Sequence, residues 1–268
     1  MLKVFAVLLG TFIWSSFAQS KAACQDEWNN VLERYDFEND FLEMKEVWLE
    51  LESSCNKSDY YYLNLGHLFV KAADFDKANY AYLKGRELSG KHIADLELGI
   101  VDLYFQRATR RGVDLDEALL KTANLEMEKF ISKHSNHIEG LAAMSGIKLV
   151  LKEFDSSVEY AVKAVEIEDN AVAYRHMAIS YSRLRKAEET VVAAGKAIGL
   201  KSSLAGDRDL MLAASMAYYE LGRIELAYGT MQLLIEANPD LKGDPLVNRI
   251  GASLQSKFNQ MKEANKLD

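Results

Sequence analysis

The chain has 268 residues, 49% apolar and 27% charged, which is ample material for a packed core and excludes a natively disordered chain. Its formal net charge of −8, from 32 basic and 40 acidic residues, repels phosphate backbones and argues against nucleic acid as a partner. Only Pro239 and Pro245 occur as prolines, both near the C-terminus, and proline breaks helix interiors. The long proline-free stretch, rich in alanine, leucine, lysine and glutamate, predicts an all-helical protein.

The first residues read MLKVFAVLLGTFIWSSFAQS. Lys3 precedes an apolar stretch from Val4 to Trp14, and Ser16-Phe17-Ala18 fits a small-x-small cleavage site. A secretory signal peptide over residues 1–18, cut after Ala18, is expected. The alternative is an uncleaved membrane anchor, for which the apolar stretch is short against the roughly 20 residues a span needs. No second apolar segment is long enough to span a membrane, so no integral span is expected in the mature chain.

Residues 19–57 read as a helical hairpin, with Gln25–Tyr35 and Phe41–Ser53 as its arms and Asp36–Asp40 as its turn. Cys24 and Cys55 are the only cysteines and fall at the outer ends of those arms. An even cysteine count in an exported chain points to a disulfide. The rival reading, a lipid-modified Cys24, fits poorly with Lys21 and the polar gap after the apolar core.

A recurring pattern fills residues 59–239. Counting Asp59 as position 1, Tyr62, Leu65, Gly66 and Phe69 occupy positions 4, 7, 8 and 11, and Phe75, Ala78, Tyr82 and Gly85 positions 17, 20, 24 and 27. Counting from Ile138, the same positions hold Leu141, Met144, Ser145, Lys148, Phe154, Ser157, Ala161 and Ala164. From Ala171 they hold Tyr174, Met177, Ala178, Tyr181, Ala187, Thr190, Ala194 and Ala197. From Arg208 they hold Met211, Ala214, Ser215, Tyr218, Ile224, Ala227, Met231 and Leu234, with Pro239 at position 32. Small residues at positions 8, 20 and 27 let two antiparallel helices approach closely.

The pattern resembles the tetratricopeptide repeat (TPR), in an exported, periplasmic form. The units are 59–92, an irregular 93–137, 138–170, 171–204 and 208–241. The irregular unit keeps Leu96, Gly99, Ile100 and Leu103 but adds about six residues before Ala118, around Arg110-Arg111-Gly112-Val113, which resembles the related Sel1-like variant. Its second helix is expected over roughly Leu115–Ser132. The resemblance implies a right-handed α-solenoid of antiparallel helix pairs. The disulfide-linked hairpin would close its front and a capping helix over 245–266 its back, with Pro245 in the first turn and Leu246, Ile250, Leu254, Phe258 and Met261 in one stripe.

Catalytic chemistry finds no foothold. G-x-S-x-G, H-E-x-x-H, P-loop and G-x-G-x-x-G motifs are missing from the sequence. Carboxylate pairs such as Glu188-Glu189 and Asp207/Asp209 read as exposed helix faces. His134 and His137 have metal-site spacing without a third ligand, and read as residues capping carbonyls at a helix end. No enzyme activity, cofactor or metal is expected. Tyr62 and Tyr218 occupy packing positions, and their neighbours Tyr60, Tyr61 and Tyr219 point elsewhere around the helix.

In the family, first-helix positions 2, 5, 9 and 12 line a concave groove. The resemblance carries that role onto Tyr60, Leu63, His67 and Val70; onto Val172, Arg175, Ile179 and Ser182; and onto Asp209, Leu212, Met216 and Tyr219. The mixture of aromatic, apolar and arginine side chains suits binding hot spots. The expected function is a non-catalytic scaffold or adaptor of the bacterial cell envelope, holding a peptide or helix of an envelope protein. The alternatives are a self-assembling homo-oligomer and an accessory subunit of an envelope transport or enzyme complex.

Overall fold

The computed structural model describes residues 24–264 apart from 38, 89 and 111–113. The expected signal peptide therefore lies outside the described residues, as does the end of the capping helix beyond 264. All regular structure among the described residues is helical: α1 (24–34), α2 (Phe41–Glu50), α3 (Glu52–Cys55), α4 (Asp59–Lys71), α5 (Phe75–Glu87), α6 (Ile93–Ala108) and α7 (Glu117–Lys133). There follow α8 (Ile138–Val150), α9 (Phe154–Ile167), α10 (Ala171–Arg183), α11 (Ala187–Leu200), α12 (Arg208–Glu220), α13 (Ile224–Ala237) and α14 (Pro245–Ala264). Short 3-10 turns occupy Ser202–Gly206 and Pro239–Gly243. The chain divides into two compact units, one ending at Phe130 and one beginning at Ile131.

Helix starts are set by side chains that accept the orphan N–H groups of the first turn. Ser58 accepts from Tyr61, Asp74 from Lys77, Asn170 from Ala173 and Asp207 from Leu210. Asp116 accepts from Ala118 and Leu119, which fixes the start of α7 two residues later than its apolar pattern suggests. Such caps are each worth about 1 kcal/mol. His137 does the same for α8, its Nδ1 accepting from the Gly140 N–H at 3.2 Å. That corrects the reading of this histidine as a carbonyl cap: an amide N–H at a helix start, not a carbonyl at a helix end, is what its ring meets.

The first helix of each regular pair ends in the same way. Ala73, Lys152, Arg185 and Gly222, each at position 15 of its unit, have φ of 56°, 63°, 58° and 72°. The N–H of the following residue reaches back five positions, from Asp74 to Phe69, Glu153 to Lys148, Lys186 to Tyr181 and Arg223 to Tyr218. This is a Schellman closure, which usually carries glycine at the left-handed residue. Only the last unit has it.

In the first unit the hairpin of α1 to α3 is joined by the Cys24–Cys55 disulfide, with 5.7 Å between the Cα atoms. By loop entropy a bridge of this separation adds roughly 3–4 kcal/mol. The second arm is helical as far as Cys55, interrupted at Leu51. Trp48 is fully buried between the rings of Trp28, at 4.8 Å, and Tyr61, at 5.3 Å, and its indole N–H donates to the Tyr61 carbonyl. Tyr61, not Tyr62, is therefore the fully buried member of the tyrosine run. It turns towards the hairpin, whereas Tyr62 is half-buried against the same core. Beyond it, the Tyr82 ring is clamped between α4 and α6, where a Cβ on Gly66 or Gly99 would fall 2.2 or 2.7 Å from its atoms. Two glycines here are a steric requirement.

In the second unit the pairs α8/α9, α10/α11 and α12/α13 meet at small or hydroxylated residues, and α14 packs on α13. Ser157 donates to the Ser145 carbonyl at 2.9 Å and receives a bond from Ser180 at 2.9 Å, while Ser215 donates to the Ala227 carbonyl at 2.8 Å. These bonds satisfy hydroxyls that would be costly to bury unpaired. Lys148, which stands where an aromatic residue is expected, keeps its stem buried and carries its ammonium to Glu153 at 3.0 Å. His176 lies between α10 and α8, its Nδ1 at 3.2 Å from the Ala142 carbonyl. A carbonyl can only accept, so Nδ1 carries the proton.

Gly222→Ala should lower stability by about 1 kcal/mol in chemical denaturation, because alanine resists the left-handed conformation, whereas Lys152→Gly should not destabilise at all. A second expectation concerns pH. Burial, and then the nearby Arg175, pulls the His176 pKa down to about 4. Since the unfolded chain binds that proton near pH 6.5, stability should be complete above that value and fall by at most about 3 kcal/mol towards pH 4. A denaturation series in that window should show a shallower fall for His176→Asn, which keeps a donor but does not titrate.

Candidate binding groove

The first helices of the pairs carry the residues expected to face a partner, and the two units are distinct in chemistry. In the first unit the Tyr60 ring is half-buried and lies 5.2 Å from His92. Leu63 is buried and Val70 half-buried, so both serve the core. His67 reaches solvent, with its ring edge-on to Tyr82 at 5.8 Å. The protein packed around it holds its pKa below the ordinary histidine value, against the pull of Asp95. The His67 side chain is thus open to water yet crowded by protein. Asp102, on α6, has the same character: desolvation raises its pKa, and Gln106 donates to it at 2.9 Å. This surface is polar and acidic.

In the second unit the surface is more apolar. Val172, Met216 and Tyr219 are 47%, 48% and 40% exposed on α10 and α12, which is unusual for side chains of this size. Tyr219 opens into a recess of about 580 Å³ lined by Glu220, Ile224, Lys257, Gln260 and Met261, with the Lys257 ammonium 5.4 Å from its ring. Ser182 is half-buried near the end of α10.

Other expected groove residues are already committed. Ile179 and Leu212 are each only 7% exposed and pack inside the unit. The Arg175 guanidinium binds Asp207 through Nε at 2.8 Å and Nη2 at 3.2 Å. Asp207 at the same time caps α12, so the pair ties one repeat to the start of the next. Asp209 pairs with Arg208 at 2.9 Å. Leu63, Ile179 and Leu212 are thus corrected from contact residues to core. Arg175 is corrected from a hot spot to a strut.

Sequence reasoning missed that strut and its successor. The Arg208 Nε reaches Asp244 at 2.6 Å, and Asp244 accepts from the N–H groups of Leu246 and Val247 to cap α14. The guanidinium and these amides hold the Asp244 carboxyl well below the usual range. In the first unit the buried Asp59 carboxylate accepts from the His92 N–H at 2.9 Å in the corresponding place. In the second unit the available signal was Asp207 and Asp244 at helix starts, one repeat beyond Arg175 and Arg208. Among the described residues no group of three or more His, Cys, Asp or Glu is arranged to hold a metal ion.

No protein-family model and no curated protein matches the sequence. Solved structures do match. A chain of the APC/C hetero-tetramer Cut9–Hcn1 superimposes with a TM-score of 0.64 at 12% identity, over 81% of this chain and 40% of that one. Yeast Tom70 gives 0.60 at 11% identity, over 81% of this chain and 44% of that one. TTC0263, a thermophilic TPR protein in Thermus thermophilus, gives 0.52 at 12% identity, over 74% of this chain and 99% of that one. This chain thus spans less than half the length of the first two and nearly all of the third. With the repeat register, the recurring left-handed closures and the small-residue contacts already described, these matches establish that the chain has the tetratricopeptide-repeat fold.

Proposed function

We propose that the protein is a non-catalytic adaptor that holds a peptide or helix of a cell-envelope protein against the α10/α12 face of its second unit. The observation that carries this reading is the exposure of Val172 on α10 and of Met216 and Tyr219 on α12, with Tyr219 opening into its recess. Large apolar side chains left in water on a concave surface gain most from being covered. Methionine adapts to different partners, and tyrosine supplies area with a polar tip. The Arg175–Asp207 strut ties α10 to the start of α12 and leaves Arg175 already paired before a partner arrives.

We also propose that residues 1–18 are a leader removed on export to the bacterial periplasm, an oxidising compartment compatible with the Cys24–Cys55 bridge. Intact-mass measurement of the exported protein should find a chain beginning at Gln19, and an N-terminus still at Met1 would refute cleavage.

The test of the groove uses purified envelope proteins captured on the mature chain and identified by mass spectrometry. For a captured partner, Met216→Ala with Tyr219→Ala should weaken binding about 10-fold to 100-fold, since hot-spot truncations cost at least 1–2 kcal/mol. Both positions are solvent-exposed, so the melting temperature should hardly change. Unaltered affinity in the double variant would remove the α10/α12 face from consideration.

A further inference from the structure

Among the described residues, α14 carries an open seat along one side. In α8 and α12 the residue at position 8, Ser145 or Ser215, is where the second helix of the pair approaches most closely. Counting α14 from Pro245 puts Ala252 at that position and Gly251 beside it. Ala252 is exposed, and no atom lies within 4 Å of where a Gly251 Cβ would sit. Glycine weakens a helix interior relative to alanine, and nothing in the second unit requires it here. Between α13 and α14 runs a groove of about 870 Å³, with Met231 and Ile235 on its floor and Asn248, Gly251, Ala252 and Gln255 along its α14 side. The groove continues the interface that every preceding pair in this unit fills with a helix.

We infer that a second copy of this chain fills that seat, by antiparallel pairing of α14 with α14. The α14 stripe is small and uncharged. Its asparagine and glutamine amides both donate and accept, so it is complementary to itself across a two-fold axis. Charge favours the same orientation. Glu236 stands on the groove's α13 lip beside the first turns of α14, and Lys262 lies near the end of α14, three residues beyond the groove-lining Asn259. Antiparallel pairing brings Lys262 of the second copy to Glu236, twice per dimer; parallel pairing separates them. A 20-residue helix is about 30 Å long, so the contact is small and the dimer dissociates on dilution.

The test is light scattering of the mature, oxidised protein over a concentration series, with circular dichroism as the control for folding. The wild type should pass from monomer to dimer. Gly251→Leu, which favours the helix but fills the seat, should be monomeric with unchanged helicity. Glu236→Lys and Lys262→Glu should each weaken the dimer at least 10-fold, and the two together should restore it, since only a direct pair is rescued by exchange. A wild type that stays monomeric at high micromolar concentration overturns the inference. So does a dimer indifferent to Gly251→Leu, which would lie on another surface. Neither result bears on the α10/α12 face, whose variants are separate.

Discussion

Everything in this protein depends on how closely two helices of a pair can approach. At the contact, positions 20 and 27 hold residues such as Ala78, Ser157, Ala164, Thr190, Ala197 and Ala227, all inaccessible to water. Close approach brings hydroxyls within reach of facing carbonyls, so Ser157 and Ser215 can enter the interface without an unsatisfied group. It also demands an abrupt reversal after the first helix. The left-handed residue at position 15 supplies it even where the side chain is alanine, lysine or arginine. The packing gained outweighs the local strain at those three positions.

A second layer of order runs from one repeat to the next. In the second unit Arg175 grips Asp207 and Arg208 grips Asp244, and each aspartate caps the helix it belongs to. In the first unit Asp59 reaches the His92 amide directly. A carboxylate that satisfies helix N–H groups and a guanidinium together is held in one orientation. It couples the angle between repeats to the integrity of a helix start. Solvent-exposed ion pairs contribute little as isolated contacts, but these are half-buried and geometrically fixed.

The parts of this architecture that depend on side-chain size were legible in the sequence. Tyr82 at position 24, with Gly66 and Gly99 facing it, announces a large ring needing two gaps. The paired cysteines likewise announced the hairpin, and the bridge is present. What escaped was set by neighbours distant in the chain. Tyr61 and Tyr62 are adjacent and chemically identical, and only the hairpin with Trp48 decides which is buried. Arg175 fits a binding hot spot in isolation, and only the nearby Asp207 reveals it as a strut. Position-by-position transfer put Leu63, Ile179 and Leu212 on a contact face, whereas each is only 7% exposed and is taken up by packing that the pattern of one helix does not record.

The aromatic cluster in the hairpin has a consequence for how unfolding would be seen. Of the chain's three tryptophans, the two in the described residues, Trp28 and Trp48, touch one another inside the segment closed by the disulfide. In a chain lacking residues 1–18, and with them Trp14, tryptophan fluorescence would report the state of this one corner, while circular dichroism averages over every helix. Repeat arrays need not melt as a single cooperative block. The protein thus carries a natural site-specific probe at one end, and disagreement between the two signals would measure how far cooperativity extends along the chain.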